Sequence, residues 1–267
     1  MNKSNPVNVS YSTARDRLEG SLRSRVVPFD RFYTIWSFVH ATLLVALVAL
    51  AELTTVRLVA LSMLTVWSIG AIAILFGAAA RLHPDGPGPI LPNALTGSRV
   101  VAATLIVGLT ATSVTVPSLA TALSGPAGWI LPGILLLVEL TDYFDGRIAR
   151  RLNAGAFGSI WDMENDVVYA LALSILHRHV FGLTAVVLLI GLMRPLYVLL
   201  WRRPSRPARI PRAYTLYAKT TAASLTTILI VATVPVIGTP IRTAMVVVAL
   251  AMQVVSFAWD LVLQRRR

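Results

Sequence analysis

The chain has 267 residues, of which 56% are hydrophobic and only 13% charged, against about a quarter charged in soluble domains. That composition excludes an ordinary soluble fold and points to a bilayer as solvent. The absence of cysteine excludes a disulfide framework, a thiolate metal site and a cysteine nucleophile. Net charge is +12, and the placement of the basic residues decides what that means.

Residues 1–33 are polar and mixed in charge, with neither the apolar core nor the cleavage pattern of a secretory signal. They read as a cytoplasmic tail, disordered or lying on the surface. Phe29, Phe32, Tyr33 and Trp36 near its end suit a membrane-interface belt. A spanning helix needs about 20 mostly apolar residues. Eight stretches qualify: 34–53, 57–79, 98–118, 128–147, 157–177, 180–201, 216–237 and 243–263. The fold class is therefore an all-α integral membrane protein. The first two spans, within 34–80, stand apart from a six-helix transmembrane domain over 98–267. Between them lies the Pro/Gly-rich linker and juxtamembrane segment 81–97, beginning RLHPDGPGPIL, which must interrupt helix.

Orientation follows from Lys and Arg. With the N-terminus cytoplasmic, almost all basic residues fall on cytoplasmic segments, and only Arg57, Arg178 and Arg242 lie outside. Both termini are then cytoplasmic, and the expected location is the cytoplasmic membrane of a bacterium. The positive charge is mainly a topology signal. Arg202, Arg203, Arg206, Arg209 and Arg212 are also placed to meet anionic headgroups or an anionic substrate. No groove-reading module accompanies them, so no nucleic-acid partner is expected.

Six of the twelve acidic residues lie between positions 139 and 166: Glu139, Asp142, Asp145, Asp162, Glu164 and Asp166. Carboxylates at a span end are costly and usually functional. Glu139, Asp142 and Asp145 recur at i, i+3, i+6 and share a helix face. Asp162 and Asp166, at i and i+4, share a face of the next span. A short turn joins the two spans, so the faces should converge at the cytoplasmic end. Clustered carboxylates stay ionised only with a compensating cation, and an all-oxygen donor set favours Mg²⁺, Mn²⁺ or Ca²⁺. The competing reading is a set of helix-end charges paired with Arg147, Arg150 and Arg151. Glu164, at i+2 from Asp162, should face away from the cluster as a surface charge. His83, His177 and His179 read as loop or interface residues, and His40 as packed between helices.

Residues 142–166 read DYFDGRIARRLNAGAFGSIWDMEND. This resembles the signature of the CDP-alcohol phosphatidyltransferase family, D-x-x-D-G-x-x-A-R followed by G-x-x-x-D-x-x-x-D. Asp142, Asp145, Gly146, Ala149, Arg150, Gly158, Asp162 and Asp166 occupy every fixed position. Upstream, PNALTGSR at 92–99 is similar to the family's P-N-x-x-T-x-x-R entry to its first core helix. The resemblance covers roughly 90–240. Two departures stand out: the stretch 151–157 is shorter than usual, and Met163 replaces a customary proline.

The resemblance implies a transferase that moves a phosphoalcohol from a CDP-linked lipid, CDP-diacylglycerol, to an alcohol, releasing CMP in phospholipid biosynthesis. It implies two divalent cations, Mg²⁺ or Mn²⁺, on Asp142, Asp145, Asp162 and Asp166, with Asp166 also the catalytic base. Gly146, Arg150, Asn93, Thr96 and Gly158 would contact the donor, although Thr96 could instead cap a helix. Arg194, Lys219, Arg202 and Arg203 would face the acceptor, with a lean towards a phosphorylated polyol such as glycerol phosphate or inositol phosphate. Membrane lipids and a second copy of the chain, as a homodimer, complete the implied partners. The alternatives are a metal-dependent membrane phosphatase or pyrophosphatase, in which water replaces the alcohol, a cation-coupled transporter, and an inactive binding partner.

Overall fold

The computed structural model describes residues 7–83, 86–151, 156–201 and 211–265, with side chains described for 29–83, 86–141, 157–201 and 211–265. Among the described residues every regular element is helical: α1 (Val7–Ala51), α2 (Arg57–Leu82), α3 (Ile90–Thr115), α4 (Pro117–Ser124), α5 (Ile130–Arg151), α6 (Ala156–His179), α7 (Leu188–Leu200), α8 (Arg212–Val231) and α9 (Thr239–Arg265).

Several boundaries differ from the expected ones, each for a local reason. Helix α1 begins at Val7, not near residue 34, and runs 45 residues without a break. The linker is shorter than expected. Gly86 and Gly88 take φ of +63° and +77°, a region that favours glycine, and α3 starts immediately afterwards at Ile90. The PNALTGSR segment therefore forms the opening turns of α3. Gly125, followed directly by Pro126, breaks the next span, so that Pro117–Ser124 and Pro126–Thr141 meet at 68°. Gly182, with φ +67°, delays α7, leaving it 13 residues long.

Among the described residues four helices are long and apolar enough to cross a membrane, or five if the bent pair is one span. Eight were expected. Helix α6 drops out because Asp162, Glu164 and Asp166 fall within its 24 residues; α7 is too short. Large apolar side chains on the outer faces, among them Ile35, Val66, Val101, Leu105, Leu137 and Val247, are exposed, which in a bilayer means facing lipid.

Helix α6 is the centre of the bundle. Val167 to His177 are buried at every position, as expected for a helix enclosed on all sides. Helix α3 packs along one side of α6 and α7 along another, and α1 in turn covers α7 and α2. The close approach of α7 depends on Gly191: a Cβ there would stand 2.3 Å from the Cα of Leu171 on α6. On α1 the inward stripe is Phe29, Trp36, His40, Leu44, Leu47 and Ala51, at the i, i+3, i+4 spacing of a packed helix. Trp36 Nε1 donates to the backbone carbonyl of Ala71 on α2 at 3.1 Å.

The Gly191 contact yields a test. Gly191→Ala forces α7 off α6 and should destabilise the fold by about 1–3 kcal/mol, read as a lower melting temperature in detergent. Gly70→Ala, where a Cβ meets nothing within 4 Å, should not lower it.

Candidate active site

The site lies where α5 hands over to α6, beside the start of α3. Asp162 and Asp166, one helical turn apart, both point towards α3 and converge on one guanidinium. Arg99 Nη1 donates to Asp162 Oδ1 at 3.1 Å and also to Asp166 Oδ1. The arginine is the buried member, with 3% of its side chain exposed, against 48% for Asp162 and 39% for Asp166. A cation thus forms the floor, and two carboxylates open outward from it. Burying a guanidinium is tolerated because both partners compensate its charge.

Polar contacts fix α3 against α5 and α6. Trp161 Nε1 donates to the carbonyl of Asn93 at 3.0 Å, and Asn93 Nδ2 donates to the Pro87 carbonyl at 2.5 Å. Ser98 and Thr141 hydroxyls lie 3.3 Å apart. Asn93 and Thr96 are both buried at the head of α3. Pro89 holds the N-cap position, so Thr96, well inside the helix, does not cap it. Gly158 is part-buried in the first turn of α6. Glu139 accepts from Thr226 Oγ1 of α8 at 2.6 Å. Lys219 is exposed on α8.

Three expectations change. Glu164 is not a surface charge: it is buried, and its Oε1 accepts from Tyr33 Oη and from Arg194 Nη2, both at 2.6 Å. It does face away from Asp162 and Asp166, but α1 and α7 cover that side. Arg194, expected towards the acceptor, is engaged in this ion pair. His177 is no loop residue: it is fully buried, with Nε2 2.9 Å from the Leu229 carbonyl. His40 sits between helices as expected, its Nδ1 accepting from Trp67 Nε1 at 3.1 Å. His83 packs edge-on against Phe29, and His179 lies 3.4 Å from Glu52.

The side chains of Asp142, Asp145, Gly146 and Arg150 lie outside the described residues, although their backbone continues α5. Arg202 and Arg203 lie outside them altogether. Among the described residues no three His, Cys, Asp or Glu gather as a metal site. The described half of the expected ligand set is nevertheless of the right chemistry for a hard cation. It offers only carboxylate oxygen, and both carboxylates keep surface exposed beyond their contact with Arg99. Arg99 closes the PNALTGSR motif, and the motif alone assigns it no partner. The available signal was a lone basic residue in an otherwise apolar segment, which needs an anionic partner.

An all-helical bundle with lipid-facing apolar surface and a carboxylate pair open at one end is the frame of a membrane enzyme. Residues 89–261 match the family model described as CDP-alcohol phosphatidyltransferase, and the chain, matched over well more than half its length, belongs to that family. Searches of curated proteins and of solved structures find no match. Transfer of a phosphoalcohol from a CDP-alcohol is the family's reaction. The match leaves α1 and α2 outside it.

Removing the shared cation should damage the site. Arg99→Gln is expected to lower CMP release by about tenfold or more, equivalent to about 1.4 kcal/mol. A variant with full rate would reduce Arg99 to a packing role.

Proposed function

We propose that this chain transfers a phosphatidyl group from CDP-diacylglycerol to a small alcohol, a phosphorylated polyol such as glycerol phosphate or inositol phosphate, and releases CMP. The observation that carries this reading is the pair Asp162 and Asp166, open on the buried Arg99 and standing at the family motif's positions. The acceptor oxygen attacks the phosphorus that bears the diacylglycerol, the bond from that phosphorus to the CMP oxygen breaks, and CMP leaves with the electron pair. Asp166 takes the acceptor hydroxyl proton, a role that requires it within hydrogen-bond reach of that oxygen.

Asp142, Asp145, Asp162 and Asp166 would hold two Mg²⁺ or Mn²⁺ ions, which when bound neutralise charge on the diphosphate. Gly146 has no Cβ and lets the nucleotide come close to the backbone. Arg150 offers its planar fork to a donor phosphate. Asn93, Thr96 and Gly158 complete the donor pocket, and the hydrogen bond from Trp161 to the Asn93 carbonyl, which ties the head of α3 to the residue next to Asp162, supports this reading. Lys219, Arg202 and Arg203 would supply the positive charge that an acceptor phosphate needs.

The same reading gives eight spans with both termini in the cytoplasm of a bacterium, the shorter α7 and the charged α6 counting as spans within the bundle, and a homodimer in the membrane. The course of α6 across the membrane is supported by the separation of charge along it. Asp162 and Asp166 lie near one end, and Arg178 pairs with Glu52 at the other.

The test is CMP release from CDP-diacylglycerol by detergent-purified protein with Mg²⁺ or Mn²⁺, against glycerol phosphate, inositol phosphate, serine, glycerol and inositol. One acceptor should support turnover, and Asp166→Asn should reduce it by about 10²–10⁴, the usual contribution of a general base. CMP release without any acceptor would replace the transferase with a hydrolase.

A further inference from the structure

Helices α1 and α2 precede the family match, yet α1 reaches the helix that carries the carboxylates. We propose that α1 is a working part of the catalytic site: Tyr33, with Glu164 of α6 and Arg194 of α7, closes a buried clamp that fixes the rotation of α6 and hence the direction in which Asp162 and Asp166 face. This rests on the reading of Asp162 and Asp166 as the transfer site.

The argument begins with helix geometry. Glu164 lies two residues from each aspartate, roughly 200° round the helix from both at 3.6 residues per turn. One side of α6 is tied to Arg99 on α3, and the opposite side to Arg194 and Tyr33. Arg194 Nη2 reaches Glu164 Oε1 and Tyr33 Oη, at 2.6 and 3.1 Å, while Tyr33 Oη donates to the same carboxylate oxygen at 2.6 Å. The three polar groups close a triangle. Only 4% of the Glu164 side chain is exposed. Turning α6 would pull this carboxylate off both donors inside an apolar bundle, where an unpaired charge is very costly. The ion pairs on the two sides therefore hold α6 at one rotation.

Tyr33 is itself fixed. It belongs to a ladder of rings along α1, stacked on Phe29 and Trp36 at 6.3 and 6.0 Å, with Trp36 stacked on His40 at 4.7 Å. Phe29 meets Phe157 edge-on at 6.1 Å in the first turns of α6. Phe76 of α2 meets Trp161, the neighbour of Asp162, at 5.2 Å. At the far end of α6, Arg178 Nε and Nη2 both donate to Oε2 of Glu52, in the turn directly after α1, at 3.0 and 2.9 Å. Helix α1 and the turn that ends it thus hold α6 near both ends. The same geometry gives Arg194 a job other than meeting an acceptor phosphate, because Glu164 already compensates its charge.

The test uses the full chain in detergent, with the acceptor that supports turnover, and Mn²⁺ binding followed by electron paramagnetic resonance. Glu164→Gln and Arg194→Gln each strand a buried charge and should each lower kcat by about tenfold or more and weaken Mn²⁺ binding several-fold. The double variant removes both charges and should return to within about threefold of the parent in both readouts. Acceptor KM should stay unchanged throughout. Tyr33→Phe, which keeps the ring and the ion pair, should lower kcat by about two- to fivefold, again with unchanged KM. A large rise in acceptor KM for Arg194→Gln that the double variant fails to correct would make Arg194 an acceptor ligand and overturn the clamp. Wild-type kcat and Mn²⁺ affinity in the single variants, with only the melting temperature lowered, would reduce the triad to a brace. Absence of CMP release from the parent would count against the transferase reading alone, since the Mn²⁺ readout still tests the clamp.

Discussion

A helix carrying three carboxylates within five residues does not belong at the centre of an apolar bundle unless each charge is compensated. Asp162, Glu164 and Asp166 impose that condition on α6, and the surrounding helices answer it. Arg99 is delivered by α3 and meets the two aspartates; Arg194 is delivered by α7 and meets the glutamate. Each arginine sits in a span that would otherwise be apolar, where an unpaired guanidinium would be as unwelcome as an unpaired carboxylate. The pairing of α6 with α3 and with α7 is thus set by charge as much as by apolar contact.

The two ion pairs differ in exposure, and that difference separates their functions. Glu164 is sealed with Arg194 and Tyr33, both of which donate to its Oε1. Asp162 and Asp166 keep oxygen surface exposed while sharing a buried cation. Only the second arrangement leaves ligand capacity for a metal and a proton acceptor for a substrate. Open carboxylate surface therefore lies on the α3 side of α6, and the α1 and α7 side is closed by Tyr33 and Arg194. Gly191 permits this, because only a residue without Cβ lets α7 come close enough to Leu171 for Arg194 to reach Glu164.

The appended helices are integrated by aromatic rings. Phe29, Phe76, Phe157 and Trp161 meet behind the carboxylate pair, and Trp161 also donates to the opening turn of α3. One indole therefore joins the motif that begins the family domain to the residue next to Asp162. A tail of mixed polarity gave little hint of this. Its aromatic residues suited a membrane interface equally well, and only packing distinguishes a ring that meets lipid headgroups from one that meets another ring.

The chain's own order of residues determined the helical membrane class, the Pro/Gly break before α3, and the placing of Asp162 and Asp166 on one helix face. These follow from local rules: apolar run length, the φ preferences of glycine and proline, and i, i+4 spacing. Partners at long range were another matter. That Arg99 would lie between Asp162 and Asp166, more than sixty residues away, that Glu164 would be buried, and that Arg194 would be neutralised by it depended on which helix came to lie against which face of α6. A face turned away from the site looks the same in sequence whether water, lipid or another helix covers it, so only the tertiary structure could decide whether Glu164 was a surface charge or the anchor of α1.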